Sequence, residues 1–416
     1  PSRGHRLHSM LADADAARAE GTEHFKAGRH AVAKTCYARA LGLLDPLASA
    51  PDASVDLATQ ELRVKCSLNR TACLLKLHGY DAARRESLRV IALAPENAKA
   101  HLFLGRAYEA LDLVSDAQAA FTASAKLSPQ MREPREALNA VRVRLKANPQ
   151  LLQMYEDLHL VEERALRALN HADLDRTRQQ LELLLKQARS NQKTHWECRA
   201  LLGLALVCQE EGESEASGDY MAAARRTLGK AGDSPDVLGE AFHAHTAGIL
   251  LLDEGKAAQA LPFLTSTMQL ASEMDDELLE CRAVNSLAAA ALLQRDWQQA
   301  EERSREALAL AQRLGEQHAE GVAFVNLGRA LAEQKRTHDA AEALRSGAAL
   351  GASLGYSHVM GVSFTEFSSL QLEQGESATR VASAVEKLSR AVAISSANGL
   401  RRAACDDALN LHLSNL

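Results

Sequence analysis

The chain has 416 residues, 46% hydrophobic and 25% charged, which excludes a disordered or collagen-like protein. Gly (23), Pro (9) and aromatic residues (4%) are scarce, which favours long helices over a β-sandwich. The net charge of −6 argues against a nucleic-acid binder, and seven cysteines without a CxxC argue against a disulfide framework or a zinc site. A reducing compartment suits that cysteine usage. The longest small apolar run, Leu287–Leu293, is too short to span a bilayer, and no secretory signal pattern opens the chain. A cytoplasmic location without membrane insertion is therefore expected.

Internal repeats decide the fold class. The first copy reads GTEHFKAGRHAVAKTCYARAL, with Gly21, Gly28, Ala33, Tyr37 and Ala40 in the key places. A Pro-, Ser- and Asp-rich stretch, Asp45–Asp56, then interrupts the pattern and reads as an insert over 45–60. The second copy carries Thr71, Tyr80, Ala83 and Pro95; the third carries Gly105, Tyr108, Ala117, Phe121 and Pro129. Thr71 to Gly105 and Pro95 to Pro129 are both steps of 34 residues. Pro134 then opens a helix with Ala137, Val141 and Leu145 at spacing four, predicting a cap over the third copy. This first module spans 10–147.

Residues 148–195 look helical but match the pattern poorly, and serve as a connector. A further unit over about 196–230 holds Gly203, Ala216 and Tyr220, before GKAGDSPD (Gly229–Asp236) breaks the period. From there the step is 40 residues: Gly248, Ala288, Gly328 and Ser368 repeat, as do Ala260, Ala300 and Ala340. The six extra residues per unit require longer helices or longer connections. Trp297 takes the place of Tyr80, and a helix from Leu400 would close the array of 196–416. The whole is predicted to be all-α: two helical-repeat arrays, each unit an antiparallel helix pair that must stack on its neighbours to bury its apolar face.

These motifs resemble the tetratricopeptide repeat. The first module resembles that of chaperone cofactors and large immunophilins, including the long insert between its first two copies. The 40-residue units resemble those of polarity adaptors, kinesin light chains and axonemal docking proteins. The resemblance implies a non-catalytic protein-interaction adaptor. Its first groove would bind an acidic peptide or C-terminal tail, a heat-shock chaperone's among them, and its second array would hold another protein. The alternative is a structural scaffold in a large cytoskeletal assembly, axonemal, ciliary or motor-linked.

The related cofactor modules grip a Glu-Glu-Val-Asp tail through a two-carboxylate clamp of Lys, Asn, Asn, Lys and Arg. On this chain those positions fall on Arg18, Thr22, Asn69, Lys99 and Phe103. Phe103 can donate nothing, and Arg106, one turn along, is the candidate replacement. Two carboxylates need convergent charge-assisted donors, so the clamp is degraded by that loss. Asn at the place of Asn69 also commonly ties neighbouring helix pairs, and Asn326 holds the same place in the second array. For that array's groove the candidates are His245, Arg282, Asn285, Asn326, Arg329 and Glu366, a set of mixed charge.

No catalytic motif, metal-ligand motif or cofactor-binding loop emerges: GxSxG, the P-loop and HExxH are all missing. His243 and His245 are two apart on a helix and face differently, so they cannot share a metal. Cys73 and Cys208 read as small core residues, and Trp196 and Trp297 as packing aromatics at helix crossings, with a groove anchor as the alternative for one of the two. The acidic run EMDDELLE (Glu273–Glu280) reads as a solvated helix start, with a binding role for basic partners as the alternative.

Overall fold

The computed structural model describes residues 3–45, 53–147, 173–229, 236–354 and 357–373, with single positions between 158 and 165. Among the described residues there are 17 helices and no strand, the all-α fold expected. Most of the 45–60 insert, most of the 148–195 connector and the expected helix after Leu400 lie outside the described residues. Contacts divide the chain into two compact units. One is residues 1–157 with the turn Ser272–Asp276; the other is 158–271 with 277–416.

In the first unit, helices α1 (Arg3–Lys26), α2 (His30–Leu44), α3 (Ala53–Lys76), α4 (Tyr80–Leu93), α5 (Ala98–Ala110), α6 (Val114–Leu127) and α7 (Arg132–Ala147) follow in order. Each packs on the next, and the first helix of each pair also packs on the first helix of the following pair, α1 on α3 and α3 on α5. The apolar interior is divided accordingly. Ala14, Ala17, Ala40, Leu44, Leu62 and Cys66 form one cluster, and Leu68, Val90, Phe103, Phe121, Leu138 and Val141 belong to another. Each cluster is closed by its neighbour in the chain, as stacked repeats require.

The second unit continues with α8 (Leu174–Ser190), α9 (Thr194–Glu210), α10 (Ser214–Leu228), α11 (Val237–Asp253), α12 (Ala257–Met274), α13 (Glu277–Leu293), α14 (Trp297–Leu314), α15 (Gln317–Glu333), α16 (Thr337–Leu354) and α17 (Ser357–Glu373). Several starts are fixed by an aspartate. Asp173, Asp236 and Asp296 each accept a hydrogen bond from the N–H three residues on, at 2.8–3.0 Å, and Asn97 does the same for α5. In this unit too the first helices stand in a row, α11 on α13, α13 on α15 and α15 on α17.

The two periods now have a physical origin. Helices α5 and α6 have 13 and 14 residues, whereas α13 and α14 have 17 and 18. Each helix has gained about one turn. The link to the next pair shortens from residues 128–131 to 315–316, and the turn inside the pair keeps its length, 111–113 against 294–296. Longer helices, not longer connections, make the 40-residue step.

Candidate functional site

The clamp candidates of the first unit all lie on first helices: Arg18 and Thr22 on α1, Asn69 on α3, Lys99 and Arg106 on α5. Their present engagements differ. Arg18 pairs with Asp15 one turn earlier at 2.8 Å, which holds the guanidinium pKa above its ordinary value. The Thr22 hydroxyl lies 3.0 Å from the Arg18 carbonyl and 3.2 Å from the Tyr37 hydroxyl. Asn69 is half-buried. Lys99 is exposed, with its ammonium 5.4 Å from the centroid of the Phe103 ring. Phe103 itself is buried in the α3–α7 core. Arg106 donates to Glu133 on α7, an exposed pair of the kind that contributes little. Arg18, Asn69 and Lys99 thus sit on three successive helices of one row, and Arg106 is engaged elsewhere.

The same unit contains a basic cluster that motif reading missed. Lys34 on α2 is buried, and its ammonium donates to the Ser272 carbonyl at 2.5 Å and to the Asp275 carboxylate at 2.6 Å. Arg70 on α3 donates to the same carboxylate and, at 3.1 Å, to buried Glu86 on α4. Arg85 reaches the Asp275 carbonyl at 3.2 Å. Asp275 takes a left-handed backbone (φ 53°), and Met274 beside it is buried. Asp275 therefore departs from the solvated helix start expected of its acidic run. The available signal was Lys34 itself. It follows the small residue Ala33 on the buried side of α2, where a charge needs a partner.

In the second unit the groove candidates form a ladder along the row of first helices. The Ser286 hydroxyl donates to the Arg282 carbonyl at 3.1 Å, which leaves its oxygen to accept from His245 Nε2 at 3.2 Å. Asn285 donates to the Ala319 carbonyl at 3.1 Å, and Asn326 donates to the Asn285 carbonyl at 3.2 Å. Both asparagines are buried. Arg329 pairs with Glu366 at 3.1 Å. Arg282 is exposed. Burial of the His245 ring, reinforced by the Arg282 cation, pushes its pKa down to about 4, so the ring is neutral near pH 7. These polar groups tie successive helix pairs together.

Burial raises the thiols of Cys66, Cys73 and Cys198 to about 12 and that of Cys281 to about 11. Such thiols stay protonated and unreactive near neutrality. Cys73, Cys208 and Trp196 are all buried, in keeping with packing roles. Among the described residues no helix is long and apolar enough to cross a membrane.

Comparison with known proteins gives one family match: residues 279–350 match the tetratricopeptide repeat. Among solved structures, the chain is similar to the C-terminal TPR-containing domain of a Plasmodium falciparum FK506-binding protein, at 22% identity over 35% of this chain and 95% of that one, with a TM-score of 0.33. It is similar to the APC/C hetero-tetramer Cut9-Hcn1, at 17% identity over 96% of this chain and 76% of that one, with a TM-score of 0.44. A Rap protein complexed with Competence and Sporulation Factor matches at 14% identity over 85% of this chain and 98% of that one, with a TM-score of 0.43. None of these likenesses bears on the partner.

Proposed function

We propose that this chain, a tetratricopeptide-repeat protein, is a non-catalytic adaptor whose first unit binds an acidic peptide or C-terminal tail and whose 40-residue array binds a second protein. Repeats of this kind generally mediate protein–protein interaction, and a row of exposed first-helix positions is the natural place for an extended ligand. The observation that carries the acidic specificity is the row α1, α3, α5, which brings Arg18, Asn69 and Lys99 onto three consecutive packed helices. Lys99 is exposed there, and Arg18 needs only to give up a local partner, Asp15. Lys34 and Arg70, by contrast, already hold Asp275 and are not counted in the groove.

Phe103 sets the strength. A clamp without its arginine loses a charge-assisted bond worth about 1.5–3 kcal/mol, tenfold or more in affinity. The test is fluorescence polarisation of the full chain against a labelled peptide ending Glu-Glu-Val-Asp, with the C-terminally amidated peptide and Lys99→Ala as controls. Binding at about 10–100 μM, lost with the amide and weakened about tenfold by Lys99→Ala, is the expected result. Absence of binding at about 0.5 mM, an affinity weaker than roughly −4.5 kcal/mol, ends the acidic-tail reading and moves the search to a scaffold role for the second array.

A further inference from the structure

The first helix pair carries a cluster that the adaptor reading does not use. Glu20 and His24 are one turn apart on α1 and share a face. Cys36 comes from the facing helix α2. One ligand atom from each of the three lies within 4.8 Å of the others, the one such group among the described residues. The close approach depends on Gly21. A methyl group there would stand 3.1 Å from the Cys36 β-carbon and 2.9 Å from the Tyr37 ring, so any larger residue would push α2 and its thiol away.

Two observations distinguish this cluster from an ordinary surface carboxylate beside a histidine. The His24 Nδ1 atom is buried and has no hydrogen-bond partner, an expense that structures rarely leave unanswered. The Cys36 thiol is buried and in no disulfide. Glu20, the exposed member, already receives a cation: the Arg39 guanidinium donates to its carboxylate.

We propose that Glu20, His24 and Cys36 form a binding site for a zinc-type divalent transition metal. A carboxylate oxygen, an imidazole nitrogen and a thiolate are a donor set that Zn²⁺ accepts from a protein, with water as the fourth ligand. The soft sulfur and the imidazole select against Mg²⁺ and Ca²⁺. On binding, the Cys36 thiol gives its proton to solvent and the sulfur bonds to the metal. The metal's two positive charges then meet one thiolate and one carboxylate, and Arg39 is released from Glu20. Tetrahedral ligands around zinc are about 3.5 Å apart, so the cluster must contract by roughly an ångström. The exposed Glu20 side chain is able to make that movement. Cysteine spacing had argued against a zinc site because the ligands are shared between two antiparallel helices, a pattern that no CxxC search detects.

The test uses the full chain, reduced and stripped of metal, titrated with Co²⁺ alone and read by optical absorption. A thiolate-to-cobalt charge-transfer band that saturates at one equivalent and is displaced by Zn²⁺ is expected. Cys36→Ser should abolish the band. Glu20→Gln, at an exposed position that leaves folding intact, should weaken binding about tenfold or more. Arg39→Ala removes the competing cation and should strengthen binding several-fold, an effect that a purely structural role for the cluster would not produce. Failure of the band to form, or its survival in Cys36→Ser at full strength, overturns the proposal.

Discussion

The two arrays fill the same helix crossing differently. In the first, a β-carbon added at Gly105 would meet the Phe121 ring at 2.5 Å, and one at Gly21 would meet the Tyr37 ring at 2.9 Å. In the second, Gly248 faces Leu264 at 2.5 Å and Gly328 faces Leu344 at 2.6 Å. In all four cases the large residue follows the glycine by 16 positions. The repeat therefore conserves a geometry, a missing side chain opposite a large one, rather than a particular partner. The units with Thr71 opposite Ser87 and Ala288 opposite Ser304 depart from it and place two small residues at the crossing instead, all buried. The arrays also differ in how successive first helices are joined. The first relies mainly on apolar clusters around Phe103 and Phe121, and the second adds the ladder through His245, Ser286, Asn285 and Asn326.

A pair of glycine substitutions tests the crossing itself. Gly105→Ala places a methyl group against the rigid Phe121 ring and overpacking of this kind costs about 1–3 kcal/mol, whereas Gly248→Ala meets first a terminal methyl group of Leu264, the end of a side chain that can rotate. Both changes gain up to about 1 kcal/mol of helix propensity. Gly105→Ala should therefore destabilise by about 1–2 kcal/mol and Gly248→Ala by less than about 1 kcal/mol, as read from urea unfolding of the full chain. Equal losses would mean that aromatic and leucine crossings are mechanically the same, and the contrast between the arrays would fall.

The repeat architecture was legible because it is periodic. Steps of 34 and 40 residues, small residues such as Gly105 and Gly328, and Pro134 at the start of a helix assign residues to helices without knowledge of any contact. Side-chain partners are a different matter. Period places Asn285 and Asn326 on first helices, yet only packing shows that their amides bond to the Ala319 and Asn285 carbonyls. Asp275 looked like one acid among several because a solvated helix start and a half-buried ion pair share a composition. Period places Arg106 on α5 but not its Glu133 partner, which comes from a helix outside the repeat signature. Polar chemistry in a solenoid is decided between helices, and the repeat describes them one at a time.

The largest single effect concerns the second difference, the polar ladder. His245 has an ordinary pKa of 6.5 and one of about 4 in the folded chain, because burial and Arg282 disfavour its cation. Between those values the unfolded chain binds the proton and the folded chain does not. Stability should therefore fall as pH drops from 6.5 towards 4, by roughly 2–3 kcal/mol from this residue, with no further loss from it below that range. Comparing unfolding at pH 7 and pH 4.5 for the parent chain and for His245→Gln isolates this contribution from carboxylate titration. A pH dependence unchanged by His245→Gln would remove the ladder as a source of acid sensitivity.

The smallest effect concerns the turn inside each helix pair, which both arrays build alike. Its left-handed residue recurs at the repeat step: His78 and Asp112 are 34 apart, while Gly255, Arg295 and Lys335 are 40 apart, with φ between 59° and 73°. Glycine adopts this conformation without a steric penalty, whereas a residue with a β-carbon pays about 1–2 kcal/mol. Glycine loses some of that advantage through its greater freedom when unfolded, about 0.5–1 kcal/mol. Arg295→Gly should therefore stabilise the second array by about 0.5 kcal/mol, whereas Gly255→Ala, at the same place one unit earlier, should destabilise it by a similar amount. Opposite signs in the two unfolding midpoints would show that the turn is governed by backbone conformation alone. Equal signs would mean that the Arg295 side chain contributes to its unit through a contact that outweighs the strain.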